Sequence, residues 1–148
     1  MTIRLYDVIY SLQKFFDDKL GVRADWVFDG YKHPTSRPYI TIEILTDERV
    51  TLSKQRESVQ IIDHLQIGYH AINVIDRTDM SEEISDLLTF QEIPYFDTEQ
   101  SITEPTGDYF ITEITAVTPI SPEDISRTSE YHRVYFDVEI EKIKRRWI

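Results

Sequence analysis

The sequence predicts an α+β fold, a mainly antiparallel sheet of four to six strands with two helices packed on it. Three observations carry this. Apolar residues recur at three- and four-residue spacing in two separated stretches. They alternate with polar residues in several others. Glycine and proline sit between the two kinds of pattern. At 148 residues the chain is read as a single domain spanning 1–148, since one domain takes roughly 150 residues.

From Ile3 to Leu20, the residues Leu5, Val8, Ile9, Leu12, Phe15, Phe16 and Leu20 form one helical stripe. Thr2 is placed to cap its start and Gly21 to end it. Arg4, Asp7, Ser11, Lys14 and Asp18 form the opposite face, read as solvated. A short aromatic strand follows at Arg23 to Asp29, closed by Gly30 and a turn containing Pro34. Tyr39 to Leu45 alternates Ile40, Ile42 and Ile44 with Thr41 and Glu43, and a second run places Val59, Ile61, Leu65, Ile67 and Tyr69 on one face. These two runs read as an antiparallel pair.

Between them the residues from Thr46 to Glu57 are polar and lack glycine and proline. A connection at 46–58 is longer than hairpin loops of two to five residues, and long polar loops are often functional. It is expected to be either a surface loop or an arm that a neighbouring subunit orders.

Helical spacing returns at Asp76 to Phe90, with Met80, Ile84, Leu87 and Leu88 on one side and an Asp79/Glu82 pair at capping-box spacing. An irregular acidic stretch, Tyr95 to Asp108, is expected to hold a short edge strand near Gln100 to Thr103. Tyr109 to Val117 then reads as one strand, and Val134, Phe136, Val138 and Ile140 alternate with Tyr135, Asp137, Glu139 and Glu141 in another.

Composition bounds the function classes. Sixteen Lys and Arg against 27 Asp and Glu give a formal charge of −11, which opposes gripping nucleic acid through its phosphates. There is no cysteine for disulfides, thiolate catalysis or a zinc knuckle. The acidic, alternating first residues do not resemble a secretory signal, and no apolar run approaches the roughly 18 to 20 residues of a membrane span. The expectation is a soluble, unexported chain without a membrane partner.

The chemistry-bearing residues point away from catalysis. His33, His64, His70 and His132 show no metal-ligand spacing. His64 and His70 share a strand face but stand six residues apart, about 20 Å at strand rise, so all four are read as surface or interface histidines. Four glycines cannot build a phosphate loop. Glu139 and Glu141 share a strand face, most simply its solvated side. No catalytic residue, metal or cofactor is assigned.

Charge placement is more informative. The 142–148 tail holds Lys142, Lys144, Arg145 and Arg146 without an acid, leaving 12 bases against 27 acids, or −15, on residues 1 to 141. Acidic body and basic tail can attract each other between copies, and Trp147 and Ile148 favour a docked end.

The ordered set resembles the tail terminator and head-to-tail joining proteins of long-tailed bacteriophages. The residues that carry it are the opening helix Ile3 to Leu20, the Pro-Tyr-Ile-Thr-Ile strand at Pro38 to Ile42, the hydrophilic loop Asp47 to Glu57 and the strand Ile61 to Tyr69. The helix Asp76 to Leu88 and the terminal strand Tyr131 to Ile140 complete it. The Tyr95 to Asp108 stretch and the charged tail are not features the resemblance requires.

The resemblance implies a non-enzymatic virion protein: a homo-oligomeric ring, expected to be a hexamer, at the head-proximal end of the tail. It would end tube polymerisation and join tail to head, meeting the major tail tube protein and a head-completion or connector protein. The expected location is the host cytoplasm during assembly and then the virion tail or neck. DNA would pass through without specific binding, past acidic side chains of the long loop or helix faces.

Ring closure needs a heterologous interface. Its candidates are the loop, with Arg49, Val50, Leu52, Lys54 and Arg56, the strand positions Ile62 and His64, and the basic end Lys144, Arg145, Arg146 and Trp147. The loop is the first candidate. The alternatives are a neck adaptor binding the portal, a small hydrolase, and a cellular adaptor with no viral link.

Overall fold

The computed structural model describes residues 4–52, 58–120 and 132–145, the last three by backbone alone. Helix α1 (Leu5–Leu20) buries Val8, Ile9, Leu12, Phe15 and Phe16, and it stops where Gly21 takes a left-handed φ of 63° and donates its N–H to Asp17 O. A side chain at this φ would be strained, so glycine there terminates the helix at little cost. The start differs from expectation: Arg4, with extended backbone and no side-chain cap, precedes the first turn, and Thr2 is outside the described residues.

Strand β1 (Ala24–Trp26) leads by a loop to β2 (Tyr39–Thr51), which pairs along a hairpin with β3 (Ser58–His70). Helix α2 (Val74–Phe90) follows, capped by Asn73, whose side chain accepts from Asp76 N; the Asp79/Glu82 pair sits inside the helix. Strands β4 (Ile93–Pro94) and β5 (Tyr109–Phe110) form a small two-stranded sheet. Strands β6 (Glu113–Ile120) and β7 (Arg133–Arg145) complete the main sheet, in the order β1-β2-β3-β7-β6. This is the α+β fold read from the sequence, with one qualification. β1 pairs parallel to β2, so the sheet is mixed.

Alternation explains where the core lies. Ile40 and Ile42 of β2, Leu65, Ile67 and Tyr69 of β3, and Val134, Phe136, Val138 and Ile140 of β7 turn one face of the sheet toward both helices, and all of them are buried. Each large side chain buried there contributes about 1.5–3 kcal/mol of transfer free energy.

Part of the polar face of α1 is also enclosed, while Lys14 and Asp18 are exposed. Asp7 is fully buried, and its carboxylate accepts from Arg4 Nε at 2.8 Å and Thr98 Oγ1 at 2.6 Å. The Ser11 hydroxyl accepts from Phe96 N at 2.9 Å. The reading of Asp7 and Ser11 as solvated is therefore corrected: residues 95–98 lie against them. Burial alone would raise the Asp7 pKa, but the hydrogen bonds from Arg4 and Thr98 outweigh it and hold the carboxyl below its usual value.

Three further expectations are corrected. Residues 100–103 form turns and bends in place of an edge strand. The run from Tyr109 to Val117 is broken at residues 111–112, so that Phe110 serves the small sheet and Ile114 the large one. The polar segment 46–51 is strand and not loop. β2 carries its ladder past a bulge between Ile44 and Asp47 as far as Thr51, and residues 53–57 are outside the described residues.

Candidate functional site, a three-stranded arm beyond the core

The strands β2, β3 and β7 are 13 residues each and run past the end of the core together. In this distal arm Arg49 stands level with Ile61 and Lys142, Val50 with Gln60 and Ile143, and Thr51 with Val59 and Lys144. The arm joins what the sequence offers as separate candidates. Arg49 and Val50 of the loop region, Ile62 of β3, and the basic end at Lys144 and Arg145 occupy one patch of sheet, with His64 of β3 at its base. Leu52, exposed, follows β2 directly and donates its N–H to Ser58 O at 2.9 Å. Lys54, Arg56, Arg146 and Trp147 are outside the described residues. The tail reading is corrected at its start, because 142–145 continue β7 and are hydrogen-bonded to β3.

The two faces of the arm differ in charge. Register places Glu48, Ile62 and Glu141 on the face away from the helices, one level from His64 and Glu139. There His64 Nε2 lies 3.1 Å from Glu48 Oε1, and its Nδ1 lies 3.6 Å from Glu139 Oε1. Gln60 donates to Glu141, and Gln66 donates to Asp137 Oδ1 at 3.1 Å. With Glu43 level with Gln66, this face is a sheet of carboxylates spaced by Gln and His. Cross-strand bonds from β3 hold acids on both flanking strands in place, which like charges would otherwise push apart.

The helix-side face carries both signs. Asp63, 3% exposed, has the Lys142 ammonium 3.0 Å from its Oδ2, a close ion pair without hydrogen-bond alignment. Arg49 Nε lies 3.3 Å from Asp47 Oδ2 at the surface. Asp63 stands level with Ile140 and Lys142 with Ile61, so this ion pair crosses the open end of the core on a diagonal. The sequence signal missed here was the pair Asp63 and Lys142 interrupting two apolar alternations.

At the opposite end of the carboxylate-bearing face, the loop between β1 and β2 covers the strands with rings. His70 stacks on Tyr39 at 4.3 Å between centroids, approaches His33 at 5.6 Å, and places Nε2 3.1 Å from Thr41 Oγ1. His70 is only 3% exposed, which corrects its reading as a surface histidine. Burial first, then the positive charges of Arg37, His33 and Arg133, push its pKa down to about 3, so it stays neutral. A cleft of about 370 Å³ beside it is lined by His33, Pro34, Thr35, Arg37, Tyr39, His70 and Arg133, with no carboxylate. Gly68 lies under this cover because a Cβ there would come within 2.8 Å of the Tyr135 ring and 2.7 Å of Thr41 Oγ1.

Among the described residues no three His, Asp or Glu side chains are grouped to hold a metal ion, and no helix is long and apolar enough to cross a membrane. Searches of known protein-family models and of curated protein sequences return no match to this chain.

Proposed function

We propose that this chain is a structural ring protein of a long-tailed bacteriophage, placed at the head-proximal end of the tail tube, where it ends tube polymerisation and joins tail to head. One observation carries the reading: the sheet continues well past its core as an arm with one acidic face. A monomer gains little from extending three strands that, among the described side chains past Asp63, fully bury only Ile61. A subunit whose arm is completed by neighbours gains more.

The arm also gives the acidity a use. Helices occupy one face of the sheet, which leaves the other open over the arm to line a bore, and that face presents Glu43, Glu48, Glu139 and Glu141. Such a wall repels phosphates, and DNA slides past without sticking. These strand residues replace the loop and helix faces as the proposed lining. The fit to phage joining proteins comes from the order of elements in the sequence, and the arm supplies the assembly surface that this role needs.

The test is solution mass and electron microscopy of the purified chain, alone and with polymerised tail tubes. Rings at one tube tip, with tubes that no longer elongate, are expected. A chain that stays monomeric and ignores tubes refutes the role, and a bore lined mainly by Lys and Arg refutes the proposed lining.

A further inference from the structure

We infer that copies of this chain join edge to edge, the free edge of β7 in one arm adding as a parallel strand to the free edge of β2 in the next. This deepens the ring reading and rests on it.

Among the described residues both edges are open over the arm. β1 pairs with β2 only at Ile40–Ile42, and β6 pairs with β7 only from Arg133 to Glu139. Past those points, β2 from Glu43 to Thr51 and β7 from Ile140 to Arg145 meet no further strand among the described residues. The body's edges are guarded differently. β1 is three residues long, and β6 carries Pro119 and a bulge between Ile114 and Ala116.

The hydrogen-bonding direction of each free edge follows from the ladder. Leu52 N–H donates to Ser58 O, so by alternation Val50 and Glu48 face β3, and Asp47, Arg49 and Thr51 turn their amides and carbonyls outward. Even residues of β3 thus face β2 and odd ones face β7. Lys142 and Lys144 bond to Ile61 and Val59, which leaves the amides and carbonyls of Glu141 and Ile143 outward. The Asp137 carbonyl confirms this phase, since it accepts from Thr115 Oγ1 of β6 at 3.2 Å.

Charge names the occupant. Glu43, Asp47 and Glu48 make the β2 edge acidic with Arg49 as its one base, whereas β7 from Ile140 to Arg145 holds Lys142, Lys144 and Arg145 against Glu141 alone. A shift of three or four residues, on the order of 10 Å, brings Lys144 and Arg145 level with Asp47 and Glu48. β2 and β7 both run antiparallel to β3, hence parallel to each other. A rotation axis running along the strands preserves that direction, so with such an axis the seam between copies is a parallel pair and every copy uses one edge of each kind.

Two proline variants test this, because proline removes an outward N–H without touching the intrachain ladder. Arg49→Pro blocks only the β2 edge and Ile143→Pro only the β7 edge. Sedimentation at rising concentration should show the unaltered chain gaining mass, with each variant folded by circular dichroism but monomeric. An equimolar mixture of the variants retains one good edge of each kind and should form dimers that grow no further. Variants that associate like the unaltered chain, or a mixture that stays monomeric while the unaltered chain associates, overturn the edge pairing and leave the ring standing. An unaltered chain that stays monomeric even with tail tubes overturns the ring itself.

Discussion

The same three strands pass through two regions that obey different rules. In the body, Ile42, Ile67 and Phe136 are fully buried beneath the helices, and the reverse face is roofed by Tyr31, His33 and Tyr39 around His70. In the arm, β2 is exposed at every residue from Leu45 to Thr51, and carboxylates replace the rings. One sheet therefore serves both as core and as contact surface, divided near the bulge at Ile44/Asp47. Hydrogen bonding between strands continues across the divide, while apolar burial shrinks to Ile61 and Ile140.

The largest expected difference lies in cavity cost. Phe136→Ala removes a fully buried ring beneath the helices and should cost about 3–5 kcal/mol. Val50→Ala, on an exposed arm position, should stay within about 0.5 kcal/mol. Urea unfolding followed by circular dichroism measures both. Equal losses would mean that the arm is part of the cooperative core.

The division also explains what the sequence made legible. Residues with an apolar face to bury announced themselves: α1, α2, the paired strands at Ile40–Ile44 and Leu65–Tyr69, and the last strand from Val134 to Ile140. Alternation reports burial and not hydrogen bonding, so Asp47 to Thr51, with nothing to bury, looked like loop. Asp7 and Ser11 looked solvated because a helical stripe reveals only its apolar partner, and their partners at Tyr95 to Thr98 are polar. His70 was misread for a related cause: its cover of His33 and Tyr39 comes from a loop and a strand end that no periodicity marks. At the site, the loop and tail candidates were found separately, and only the 13-residue length of β7 brings them to one patch.

Acid should discriminate the two ends of the shared sheet face. His70, held neutral with its pKa down at about 3, binds a proton more readily in the unfolded chain, where an ordinary histidine titrates near 6.5. Its contribution is therefore intact above pH 6.5 and is lost as pH falls toward 3, with about 2–3 kcal/mol gone by pH 4.5. Asp7, with its pKa lowered, adds a second loss only below the ordinary carboxylate range. Chemical unfolding at stepped pH should show the earlier loss, and His70→Gln should flatten the slope between pH 6.5 and 4.5. An unchanged slope would place the acid-sensitive group elsewhere.

The smallest effect on stability is expected at the acidic face of the arm. Glu48 is 63% exposed at its side chain, and its contact with His64 is worth little because water screens the carboxylate. Glu48→Gln and Glu139→Gln should each shift stability by less than about 0.5 kcal/mol. Reversing the charge separates stability from surface chemistry. Replacing Glu48, Glu139 and Glu141 together by Lys leaves the core untouched while turning a face that repels phosphate into one that attracts it. Duplex DNA anisotropy at low salt should then show binding that the unaltered chain lacks, weakening steeply as salt rises because counterion release drives it. If the triple variant unfolds, the arm's carboxylates are structural after all; if it folds and still ignores DNA, that face does not control passage.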